Sequence, residues 1–152
     1  MNEHTYDRVK AKVVEAEEFY LVDSEGRNKA RIGLADEGSV FIRFFDGSDM
    51  VRAQLGLGKD GVPVLSLLNS TSSPALEFTA GEDGDANIQL YDPDGNTRAH
   101  LTVGADGQTG LMLSDSSERV RVHIGIDKQL NKGVIVVRDD NGSTLWSSDN
   151  QL

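Results

Sequence analysis

A 23-residue repeat governs this chain. When the sequence is slid against itself, Asp23, Asp46, Asn69, Asp92 and Asp115 fall in one column. Gly38, Gly61, Gly84 and Gly107 fall in another, each preceded by an acid (Glu37, Asp60, Asp83, Asp106). Five further columns are apolar: Phe19-Ile42-Leu65-Ile88-Leu111-Val134, Leu21-Phe44-Leu67-Leu90-Leu113-Val136, Ala30-Ala53-Leu76-Ala99-Val122-Leu145, Ile32-Leu55-Phe78-Leu101-Ile124 and Leu34-Leu57-Ala80-Val103-Ile126. All 28 of these positions are apolar in a chain that is 38% hydrophobic, so chance does not produce the pattern. A fixed period of this size means one supersecondary unit stacked repeatedly on itself. One repeat domain spans 1–152, with full units at 19–41, 42–64, 65–87, 88–110 and 111–133 and a truncated unit at 134–152. A half unit at 5–16 carries Val9, Ala11 and Val13.

Within a unit the apolar spacing is two. Ile42 and Phe44 share a face, then Ala53, Leu55 and Leu57, with Arg43, Arg52, Gln54 and Gly56 between them. Period two over five to eight residues reads as a half-buried strand. Two strands per unit predict an all-β chain of about 13 short strands. The turns predict how they pair. Asp92-Pro93-Asp94-Gly95 places Pro where a type I turn wants a preset φ and Gly where a following bulge needs positive φ. Tight antiparallel hairpins result, and the chain is expected to be an antiparallel β-meander with one apolar face. Pairing Phe44 with Val51 puts Ile42 opposite Ala53, and pairing Leu57 with Pro63 puts Leu55 opposite Leu65. Both keep the columns on one side.

A β-solenoid is one alternative. It would stack Lys29 on Arg52, Arg98 on Arg121 and Asp23 on Asp46, and like charges directly opposed destabilise a sheet. A meander sandwich is the other, with its bend at "NSTSSP" (69–74), where the third unit loses its Asp-Gly turn. Otherwise the repeat runs on with little interruption. The apolar face then needs copies of the chain itself, and a homo-oligomer, a trimer of three sheets around an axis, is expected.

The units "DSEGRNKARIGL", "DGSDMVRAQLGL" and "DPDGNTRAHLTV" resemble a loose group of tandem D-x-x-G-x-x-R-A-x-L β-repeat proteins in bacterial, archaeal and phage sequences. Some of these resemble segments of phage tail fibres or surface fibres. The similarity covers about residues 19–126. It implies a shape, and no catalytic residue is carried over with it.

Function is read mainly by exclusion. The net charge of −10 repels a phosphate backbone, so nucleic acid is not an expected partner. With no cysteine, disulfides, thiolate metal sites and cysteine nucleophiles are ruled out. There is no G-x-S-x-G, H-E-x-x-H, P-loop or G-x-G-x-x-G, and no enzyme is expected. No apolar h-region or 20-residue apolar run is present, so the chain is expected to be cytoplasmic or assembled into a particle, with no membrane insertion.

Asp92, Asp94 and Asn96 alternate like calcium ligands, but the loop is short and lacks a later bidentate Glu, so hairpin chemistry is preferred. His100 and His123 share an outward column two strands apart, too far for a shared metal, and His4 lies near the terminus. Metal and cofactor sites are therefore not expected. Lys29, Arg52, Arg98 and Arg121 form an outward basic column. Val22, Phe45, Leu68, Tyr91 and Val137 form an outward apolar one, and Tyr20, Phe41 and Trp146 also point away from the core. Tyr20, Phe41, Phe45, Tyr91, Arg52, Arg98, Arg121 and Trp146 are the candidate interaction surface. The expected role is a non-enzymatic structural or assembly module of a fibre, spike or virion-like particle. The alternative is a module that binds a glycan or protein through those columns.

Overall fold

A computed structural model describes residues 9–35, 38–58, 60–127 and 131–150. The strands are β1 (Phe19–Val22), β2 (Asn28–Leu34), β3 (Val40–Phe45), β4 (Val51–Leu57), β5 (Pro63–Leu68), β6 (Pro74–Ala80), β7 (Ala86–Tyr91), β8 (Thr97–Val103), β9 (Thr109–Ser114), β10 (Val120–Asp127), β11 (Lys132–Arg138) and β12 (Thr144–Ser147). A 3-10 turn at Ser148–Asn150 follows. They form one 12-stranded sheet in chain order, every neighbouring pair antiparallel. The meander holds, and the parallel stacking that a solenoid requires does not occur. Twelve strands are described rather than about 13, because residues 9–18 form none. The part of the supposed half unit at 5–8 lies outside the described residues, as does His4.

The hairpins share one construction. At one edge of the sheet, the N–H of residues 23, 46, 69, 92, 115 and 139 donates to the carbonyl four residues on, at 2.8–3.0 Å. Their own carbonyls accept from the residue three on, closing a type I turn followed by a left-handed residue. That last residue is Gly26, Gly95 or Gly142 in three turns and Asp49, Ser72 or Glu118 in the others. The segment at 69–74 makes the same turn as the rest, so it is no bend. Among the described residues no second layer forms, and each strand packs substantially only on its sequence neighbours.

A bulge follows each of these turns. It corrects one expected register: Phe44 pairs with Ala53 and Ile42 with Leu55, because the turn closes at Phe45 and Val51 and Arg52 is then the extra residue. At the opposite edge no bulge intervenes, and Leu57 pairs with Pro63 and Leu55 with Leu65 as expected.

A second correction concerns the last unit. Ile126 pairs with Gly133, a turn one residue longer than Val103–Thr109 or Ala80–Ala86. The repeat therefore slips by one after β10. Ile135, opposite Ile124, and Val137, opposite Val122, occupy the apolar face. Val134 and Val136, assigned to apolar columns from the sequence, lie on the other face across from Gly125 and His123. Trp146 pairs with Val137 and so joins the apolar face, while Leu145 is the bulge residue.

Candidate functional site

The two faces of the sheet differ in how they are satisfied. The apolar face carries three rows running across the strands. The first is Leu21, Ala30, Phe44, Ala53, Leu67, Leu76, Leu90, Ala99, Leu113, Val122, Val137 and Trp146. The middle row is Phe19, Ile32, Ile42, Leu55, Leu65, Phe78, Ile88, Leu101, Leu111, Ile124 and Ile135. The third is Leu34, Val40, Leu57, Pro63, Ala80, Ala86, Val103, Thr109, Ile126 and Gly133. These side chains are left open: Leu55 is 46% exposed, Leu101 45% and Phe44 51%.

The polar face is closed by its own side chains. Its central row runs Tyr20, Arg31, Arg43, Gln54, Ser66, Glu77, Gln89, His100, Met112, His123, Val136 and Ser147. Arg43 Nε donates to Gln54 Oε1 (2.7 Å) and Ser66 Oγ to Glu77 Oε1 (2.9 Å). The Tyr91 hydroxyl donates to Glu77 Oε2 (2.8 Å) and lies 2.8 Å from Gln89 Oε1. Burial, then the bond to Glu77, raises that hydroxyl to about 12. His100 Nε2 is 2.9 Å from Asn87 Oδ1. Arg31 bonds Glu18, which also accepts from the Tyr20 hydroxyl. The Tyr20 bond and then the Arg31 bond hold the Glu18 carboxyl below its ordinary value.

The candidate interaction residues do not converge. Tyr20 is on β1, Phe41 and Phe45 on β3, Arg52 on β4, Tyr91 on β7, Arg98 on β8, Arg121 on β10 and Trp146 on β12. Among the described residues Phe41 is the most deeply buried apolar side chain, at 3% exposure. It pairs with Gly33 and Gly56 and lies beneath Arg43 and Arg31, whose guanidinium carbons are 3.9 and 5.2 Å from the ring centre. Trp146 and Val137 belong to the apolar face. The sequence held a signal for Phe41, since Gly33 and Gly56 stand one period apart, and an aromatic ring readily covers a glycine across a strand pair.

The basic column is paired within the chain. Arg52, Arg98 and Arg121 are the bulge residues, and each reaches back to the aspartate of its own turn: Asp46 at 3.3 Å, Asp92 at 3.4 Å and Asp115 at 2.7 Å. Lys29 does the same with Asp23 at 3.2 Å. Arg52 Nε and Arg98 Nε also donate to the carbonyls of Leu68 and Ser114, stitching each hairpin to the next. The aspartates accept backbone N–H groups two and four residues on, as with Asp94 and Asn96 onto Asp92 Oδ1 at 3.0 Å. His100 and His123 sit on either side of Met112 in neighbouring strands. Among the described residues no group of three His, Asp or Glu is placed to hold a metal ion, and no helix is long and apolar enough to cross a membrane.

Fold and faces together define a single-layer antiparallel β-repeat protein with one polar, internally bonded face and one open apolar face. No protein family matches the chain, and neither does any curated protein.

Proposed function

We propose that the protein is a structural module that works by self-association, a non-catalytic β-repeat building block of a fibre, spike or particle. The observation that carries this reading is the uncovered apolar face. A compact chain of this mass exposes about 7,500 Å², whereas this one exposes 11078 Å². The surplus of roughly 3,500 Å² on one chain is more than the roughly 1,000–2,500 Å² that each partner buries in an obligate interface. Much of the hydrogen-bonding capacity of the polar face is spent within that face.

The test is a pair of substitutions on opposite faces of the neighbouring strands β8 and β9, read by light scattering and thermal melting. Leu101→Ala is expected to cost about 2–5 kcal/mol, the value for a fully buried leucine, although Leu101 is 45% exposed in the single chain. Met112→Ala on the polar face is expected to leave the assembly intact. A wild-type protein that stays at 16.5 kDa at micromolar concentration would overturn the reading.

A further inference from the structure

The three apolar rows are graded in size, and the outer two trade size on most strands. In the middle row every described position is Leu, Ile or Phe. In the outer rows, on eight of the described strands, a large residue at one end accompanies a small one at the other. Ala30 goes with Leu34 on β2, Ala53 with Leu57 on β4 and Ala99 with Val103 on β8. The order reverses on five others: Leu67 with Pro63 on β5, Leu76 with Ala80 on β6, Leu90 with Ala86 on β7, Leu113 with Thr109 on β9 and Val137 with Gly133 on β11, while β3 (Val40, Phe44) and β10 (Val122, Ile126) are large at both ends.

Partners four residues apart on one strand are separated by about 13 Å. They cannot touch within the chain, so the trade has no use inside it. It gains one if the first row of one sheet meets the third row of another at the same strand level. A partner with its own sequence on that level is another copy of this chain in register.

We infer, resting on the self-association proposed above, that the apolar face is closed by two further copies in parallel, in register, about a threefold axis perpendicular to the strands. A triangle with sides of about 20 Å, the length of these strands, places each sheet's midline about 6 Å from the axis. That is close to half the ~10 Å separation of packed sheets. The middle row points at the axis, where the cross-section is widest, and is uniformly large. The outer rows meet at the corners, where a large side chain of one copy faces a small one of the next. A twofold about the same axis would hold all three rows at one separation and give no reason for the grading. The third row is thinnest at Thr109 and Gly133. An open groove of about 530 Å³ lies there, lined by Leu101, Leu111, Ile124, Ile126 and Ile135 among others. Leu113, Val137 and Trp146 of the next copy stand at the matching levels to fill it.

Two measurements test this. Wild-type light scattering is expected to give about 50 kDa, three chains of 16.5 kDa. A mass of about 33 kDa overturns the threefold arrangement while leaving self-association standing, and a lone chain overturns both. The second is a double-mutant cycle with Ala53→Leu, Leu57→Ala and the two combined. Each single change is expected to lower the melting temperature by about 4–10 °C through overpacking or a cavity at the corner. The combined variant is expected to recover at least half of the summed loss, because the size trade is restored. Additive losses would show that the two positions never meet and would overturn the registered packing.

Discussion

At the scale of single residues, the turn aspartates explain the repeat's most regular column. Each carboxylate accepts two backbone N–H groups, and four of them also take a cation from the following strand. The Asp23 carboxyl is held down to about 2 by the N–H of Arg27 first, and that of Asp46 is lowered chiefly by the N–H of Ser48. Burial pushes Asp92 and Asp115 up, but their N–H and arginine partners outweigh it and lower both. Folded values below the unfolded value of about 3.9 stabilise the protein above that pH, and the contribution is lost as pH falls toward 2. The melting temperature is therefore expected to drop between pH 4 and pH 2. Asn69 already fills one such position, accepting from Thr71 and Ser73 through its amide oxygen. Asp92→Asn is accordingly expected to fold and to show a shallower acid decline, and an unchanged decline would count against the assigned bonds. The left-handed position gives a second prediction. Asp49, at φ 58, takes a conformation that costs a side chain about 1 kcal/mol. Asp49→Gly is expected to raise the melting temperature by about 1–4 °C, while Gly95→Val, at φ 88, lowers it. The aspartate column was legible in sequence up to Asp115. Asp139, which makes the same bonds to Asn141 and Ser143, was hidden by the one-residue slip before it.

At the scale of strands and hairpins, alternation and turn chemistry revealed most of the fold. Period two placed the strands and assigned the faces through Ile126. What stayed hidden was the bulge. A bulge adds one residue to one strand without changing the apolar pattern on either side, so both registers of the Phe44 hairpin satisfied the alternation. The arginine of "RAQL" and "RAHL" is that extra residue, and its long side chain is what lets it reach the aspartate behind it. The turn after β10 misled for the same reason in reverse: a longer loop carried the slip, and Val134 and Val136 looked equally apolar in the wrong frame. The candidate surface was less legible than the fold, because exposure of Phe41 or Trp146 depends on neighbours that only the register supplies. Cross-strand packing around Phe41 gives a further prediction. A methyl group on Gly56 would lie 2.7 Å from the carbonyl oxygen of Val40 and 3.3 Å from Phe41 Cβ. Gly56→Ala is expected to cost about 1–3 kcal/mol in chemical denaturation. A neutral result would mean that β3 and β4 sit further apart at this level.

At the scale of the whole molecule, a single layer joined strand to strand in chain order has no element that every other element depends on. Stability in such an array approaches a sum over units and their junctions. Removing residues 65–87 is therefore expected to leave a cooperative all-β protein by circular dichroism and melting. Removing 22 residues, 65–86, is expected to wreck it, because a one-residue departure from the period turns every later side chain to the opposite face. Collapse of the 23-residue deletion would show that the third unit holds the rest together. The consequence is that this polypeptide counts. Two strands add about 10 Å, so the number of units sets a length much as graduations do on a ruler. A gene encoding such a chain can lengthen or shorten its product in fixed steps by duplicating or dropping one unit, without redesigning a core.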